Sequence, residues 1–117
     1  MPSFDSLRGR REFTLAMRRG TVASAGAITV HAFAPRTREG TLAKVGIVVT
    51  KKVGKAVTRN RIRRRCKAIL RETLSGGPCR WYVVKCAASA ATLQFEELRR
   101  QLIDATSRAS RPPKNRS

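Results

Sequence analysis

Apolar residues occur along this chain in short clusters whose spacing switches between helical and extended periods. In residues 10–19, Phe13, Ala16 and Met17 share a helical face and Gly20 follows as a stop, which predicts a first helix. Residues 27–33 (AITVHAF) are rich in strand formers. A connection containing Pro and Gly leads from them to a second apolar run at 43–50, and the two runs predict an antiparallel pair. Beyond it, a step of ~100° per residue gathers Ile62, Cys66, Ile69, Leu70 and Thr73 into one arc of about 100°, an amphipathic helix. The breaker SGGP precedes a strand at 80–86 (RWYVVKC), and residues 92–105 place Phe95, Leu98 and Leu102 on one face of a last helix. Glu96 and Glu97 near its start and Arg108 past its end complement the helix dipole.

The predicted order is α, β, β, α, β, α, with a further short strand near Lys51–Val53 left open by the pattern. This is an α+β class, a small mixed sheet packed with helices. The connection from the second strand through the basic helix to the third is a crossover, for which the general rule gives a right hand. The 117 residues fit one domain over 1–107. Residues 108–117 (RASRPPKNRS) have nothing to bury and read as a disordered basic tail.

Charge changes the picture. The chain carries 26 basic and 7 acidic residues, a net charge of +19, beside an ordinary hydrophobic fraction of 41%. Most of the cations are arginine, whose planar fork binds phosphate bidentately and stacks on bases. From Gly40 to Arg71 there are eleven basic residues and no acidic one. On the amphipathic helix Asn60, Arg64, Lys67 and Arg71 oppose the apolar arc, and Arg61, Arg63 and Arg65 flank it. A cationic face held by an apolar seam implies a polyphosphate partner, RNA or DNA.

Catalytic groups are scarce. There is one histidine, His31, and the adjacent Glu96 and Glu97 point about 100° apart on a helix, which suits dipole compensation better than an acid/base pair. Cys66, Cys79 and Cys86 form no CxxC pair and, with a lone histidine, match no common zinc pattern, so Cys66 reads as a small core residue. Gly54-Lys55 is an isolated dipeptide without the rest of a phosphate-binding loop. No segment approaches the roughly 20 apolar residues of a membrane span, and no apolar leader opens the chain. The expected setting is the cytoplasm.

Residues 45–72, VGIVVTKKVGKAVTRNRIRRRCKAILRE, resemble the signature of the bacterial ribonuclease P protein subunit in the order strand, Lys-Lys pair and Arg-Asn-Arg helix. The REF segment and RWYVVKCAASAATLQFEEL extend the likeness over most of the chain. The resemblance implies a fold like the second domain of ribosomal protein S5, with a left-handed crossover in place of the right-handed one. It further implies a protein that assists a catalytic RNA in removing the 5′ leader of precursor tRNA. Hydrolysis would then occur at Mg²⁺ held mainly by that RNA, with no membrane and no obligate protein partner. Lys51, Lys52, Lys55, Arg59, Asn60, Arg61, Arg63, Arg64, Arg65 and Lys67 fall in the family's RNA-contacting motif. Phe13, Met17 and His31 fall in its leader-binding cleft, where Met17 and His31 replace aromatic residues common in the family. The alternative is a ribosomal or nucleoid-type structural protein with the same charge and no role in cleavage.

Overall fold

A computed structural model describes residues 4–7, 9–34, 43–74 and 80–110. The elements are β1 (Phe4–Ser6), α1 (Gly9–Arg19), β2 (Thr21–Ala25), β3 (Ile28–Phe33), β4 (Ala43–Val49), a 3-10 turn (Lys51–Val53), α2 (Ala56–Thr73), β5 (Trp81–Cys86), a second 3-10 turn (Ala88–Thr92) and α3 (Phe95–Ser110). The strands form one sheet in the order β1-β4-β5-β3-β2. β4 runs parallel to both β1 and β5, whereas β3 is antiparallel to both β5 and β2.

The α+β class holds, with four corrections. The runs expected to pair directly, now β3 and β4, are separated by β5. Tyr82, Val83 and Val84 are consecutive and all buried. A strand apolar on both faces belongs at the centre of a sheet covered on both sides. Two edge strands escaped the pattern: β1 has three residues, and β2 (TVASA) is built of small, partly exposed side chains. Lys51–Val53 is a 3-10 turn, not a strand, anchored by buried Val53. Arg108, Ala109 and Ser110, expected in the tail, form the last turn of α3, where Ala105, Thr106 and Ala109 are buried. The rest of that tail lies outside the described residues.

The two faces of the sheet are covered unequally. One face buries Ile28, Val30, Val45, Val49, Tyr82 and Val84 under α2 and α3, forming the main core. Into it α2 inserts Ile62, Cys66, Ile69 and Leu70, four of the five residues expected on its apolar arc; Thr73 is exposed. A hydrogen bond with Cys86, and then burial, hold the Cys66 thiol well above its ordinary pKa, as suits an unreactive core residue. The opposite face receives only the 11-residue α1, which packs over β3 and β5 around Leu7, Ala16 and Val83.

One polar clamp fixes the β2–β3 hairpin to α3. Gly26 turns the chain at φ 60°, and a Cβ there would lie 2.4 Å from the Gln101 amide carbon. Buried Gln101 accepts a hydrogen bond from the Ala27 N–H at 2.9 Å and donates one to Glu97 at 2.9 Å. Replacing Gln101 with Leu leaves the Ala27 N–H buried and unpaired, a loss of about 1–3 kcal/mol. Urea denaturation checks this, and a loss near zero contradicts the clamp.

Candidate nucleic-acid interface

The turn ahead of α2 shapes its cationic end. Gly54 adopts φ 153°, outside the range of most L-residues, and its carbonyl accepts a hydrogen bond from Arg59 Nε at 3.2 Å. Lys55 is the N-cap residue and supplies no side-chain cap, and the first turn holds no acid. The helix therefore starts with N–H groups that no side chain caps and with the positive end of its dipole uncompensated. Exposed Lys51, Lys52 and Lys55 surround that end, and half-buried Arg59 packs beneath it.

Further along, Asn60, Arg61, Arg64 and Lys67 are exposed, while Arg63 and Arg65 are half-buried beside the apolar seam. Asn60 accepts a hydrogen bond from Arg63 Nη1 at 3.1 Å, so it orients a guanidinium instead of merely spacing two cations. Among the described residues, no cation from Lys51 to Arg71 is ion-paired. The pairs lie elsewhere: Glu12–Lys44 at 3.0 Å, Glu72–Arg99 at 3.4 Å, Asp104–Arg108 at 3.3 Å, and Glu97 with Arg100. Three of these four involve α3. The Arg100 guanidinium, and then Gln101, hold the Glu97 carboxyl below its ordinary pKa. Negative charge is thus neutralised at α3 while the outer face of α2 stays positive.

The half-covered sheet face forms the second part of the site. Phe13 of α1 lies against Gly46 of β4, where an added Cβ would sit 2.3 Å from the ring's Cζ, so the glycine makes room for the aromatic ring. Met17, on the next turn of α1, is 37% exposed. His31 lies mid-sheet, opposite Val22 on β2 and Val83 on β5. Its Nδ1 is buried without a hydrogen-bond partner. Burial, and then the Lys85 charge, hold the imidazole below its ordinary value of 6.5, while the Met17 backbone works the other way. His31 is therefore neutral at pH 7.

Sequence reasoning missed a row of side chains on this same face. Lys44, Trp81 and Phe33 stand in register across β4, β5 and β3. The Phe33 and Trp81 rings are 5.6 Å apart at 55°, Lys44 Nζ lies 5.6 Å from the Trp81 ring centroid, and Glu12 of α1 pairs with Lys44. The face thus has its own aromatic surface, displaced from the positions of Met17 and His31. The signal was the alternation Trp81, Val83, Lys85, hidden because the residues between are equally apolar.

Among the described residues no three His, Cys, Asp or Glu side chains converge as metal ligands. No described helix is long and apolar enough to cross a membrane.

An α+β fold that carries a cationic helix without carboxylate partners among the described residues, and an aromatic sheet face only partly covered by α1, defines a class of small, strongly basic α+β proteins. Within that class, the chain belongs to the ribonuclease P family, whose profile matches residues 1–110. The ribonuclease P protein component of Thermobifida fusca is 37% identical over 112 residues, covering 91% of this chain and 76% of that one. The component from Beutenbergia cavernae is 35% identical over 103 residues, covering 87% and 85%. The ribonuclease P protein of Staphylococcus aureus superposes with a TM-score of 0.80 at 20% identity, covering 90% of this chain and 94% of that one, a likeness of fold. The chain serves as the protein subunit of ribonuclease P, working with the ribonuclease P RNA in an endoribonuclease complex.

The state of His31 has a consequence for stability. Between its lowered folded pKa and the ordinary value of 6.5, the unfolded chain binds a proton that the folded chain does not. Stability contributed by neutral His31 is complete above pH 6.5 and declines as pH falls toward the folded value. Urea denaturation at pH 7.5 and 5.5 should show a larger acid-side loss for the native chain than for His31→Gln, and equal losses contradict it.

Proposed function

We propose that α2 and the Lys51–Val53 turn dock on phosphates of the catalytic RNA, and that the α1 cleft holds the 5′ leader of precursor tRNA as a single strand. The observation that carries this reading is a cationic face with no carboxylate partner among the described residues, on a helix anchored by a buried seam. The RNA phosphate contacts are drawn from Lys51, Lys52, Lys55, Arg59, Arg61, Arg63, Arg64, Arg65 and Lys67, about five of them engaging the catalytic RNA, with Asn60 orienting Arg63. Phe13, with Phe33 and Trp81, supplies stacking surface, which tolerates leaders of varied sequence because every base has a π-face. Met17 and His31 contribute shape and a neutral polar edge.

Bond breaking in this reading belongs to the RNA, where bound Mg²⁺ would activate a water as the nucleophile and stabilise the developing charge. The chain contributes affinity, register and charge neutralisation, in keeping with the lack of any paired acid and base on the described cationic face. The substrate is precursor tRNA, and the product is the mature 5′ end. Processing assays at low Mg²⁺ test the division of labour: stimulation is expected only when RNA and protein are combined. Cleavage by the protein alone overturns it, and binding without any stimulation favours a structural nucleic-acid-binding protein.

Salt dependence tests the docking face. With ~5 phosphate contacts and a slope near 0.7 per contact, affinity for the catalytic RNA falls ~100-fold between 50 and 200 mM salt. Arg61→Ala with Arg65→Ala lowers that slope by about 1.4 without unfolding the chain. Filter binding across a salt series checks both, and an unchanged slope in the double variant removes these two residues from the interface.

A further inference from the structure

The cationic helix and the aromatic cleft lie against different faces of the sheet, yet they meet at one place. β1 pairs with β4 through only three residues, ending at Ser6, while β4 continues to Val49. A cavity of about 180 Å³ opens at this free edge, lined among others by Phe4, Phe13, Gly46, Ile47, Arg63 and Lys67. Phe4 packs toward the main core and Phe13 toward the α1 face, so the cavity wraps around the sheet edge from one face to the other. Arg63 and Lys67 stand one helical turn apart on α2 and reach the same space. The cavity is several times the ~30 Å³ of a water molecule and below the roughly 300–1,000 Å³ of drug-sized sites.

The backbone adds hydrogen-bonding capacity. Val45 accepts from Leu7 N–H on the β1 side at 3.1 Å, and Lys44 donates to Arg80 on the β5 side at 2.9 Å. By strand alternation Ile47 turns its N–H and C=O to the same edge as Val45, past the end of β1, where they border the cavity. The site therefore combines two aromatic walls, a backbone donor and acceptor, and two cations that no carboxylate neutralises among the described residues.

We infer that this cavity is a subsite for one unpaired nucleotide of the leader, held where the strand passes from the α1 cleft toward α2. The base lies between Phe4 and Phe13, and its phosphate is held by Arg63 and Lys67. Leader RNA is favoured over the catalytic RNA because Phe13 belongs to both the cavity and the cleft, so a strand in the cleft runs into the cavity without leaving the surface. This inference rests on the cleft reading and adds Phe4 and the sheet edge to it.

The test uses the reconstituted complex of catalytic RNA and full chain with precursor tRNA, and with the same tRNA lacking its leader. Phe4→Leu keeps apolar bulk against the core and removes the ring, whereas Phe4→Tyr keeps the ring. Phe4→Leu should lower precursor affinity about five- to a hundredfold, the range for loss of one stacked base, while Phe4→Tyr stays near native and leaderless tRNA is unaffected by either. If the native chain binds precursor no better than leaderless tRNA, the cleft reading itself fails. If the leader matters but Phe4→Leu and Phe4→Tyr both behave as native, the cavity is overturned and the cleft stands. Photocrosslinking with 4-thiouridine at successive leader positions gives a readout independent of variant folding. One leader position should crosslink to peptides containing Phe4 or Arg63. Crosslinks there only from thiouridine placed in the catalytic RNA would overturn the assignment.

Discussion

The burial of one apolar seam on α2 is the interaction on which the rest of this structure depends. Ile62, Cys66, Ile69 and Leu70 are each no more than 2% exposed, packed against β4, the second 3-10 turn and α3. Each large aliphatic side chain so buried stabilises by about 1.5–3 kcal/mol. Against this stands repulsion along the outer face, where exposed charges interact by about 1 kcal/mol or less and are screened beyond ~10 Å in salt. The seam wins, and the helix holds in a fixed orientation a set of cations that would repel one another apart in an unfolded segment.

From that anchor the asymmetry of the sheet follows. With α2 and α3 on one face, the chain has only α1 left for the other, and 11 residues do not cover three strands. The half-buried remainder, Phe33, Trp81 and Lys44, is aromatic and cationic where a core would be aliphatic. Lys44 over Trp81 and the Glu12 pair tie α1 down at one end of this face, and the Phe13 ring on Gly46 does so at another. The clefted face is thus a product of the helix count as much as of any single residue.

Local pattern made the three helices, β3, β4 and β5 legible, because each has a long apolar period or a dense run of strand formers. It did not show which strands are neighbours. β5 separates β3 from β4, a fact carried by burial on both faces of Tyr82–Val84, which a single apolar run cannot distinguish from a half-buried strand. β1 and β2 were silent because three residues, or TVASA, carry too little side-chain contrast. The cationic motif was legible as a face, since helical spacing alone assigns it. The partners of that face were less so: the bond from Arg63 to Asn60 depends on rotamers, and the Lys44–Trp81–Phe33 row depends on strand register. What was missed is non-local, and non-local contacts are what one-dimensional periodicity cannot encode.

The arrangement also couples stability to the partner. Unpaired cations along α2 make the free protein less stable than an equivalent chain with balanced charge, because net charge far from zero opposes compaction. A polyphosphate that binds the folded face and relieves this repulsion adds RT ln(1 + [L]/Kd) to folding stability, about 2.7 kcal/mol at a hundredfold excess over Kd. The unfolded chain, equally basic, also binds RNA and offsets part of that gain. Its cations are not held in register, so the net effect favours the fold to the extent that the seam organises them. The four buried residues of α2 therefore determine both how stable the protein is alone and how much stability an RNA partner adds.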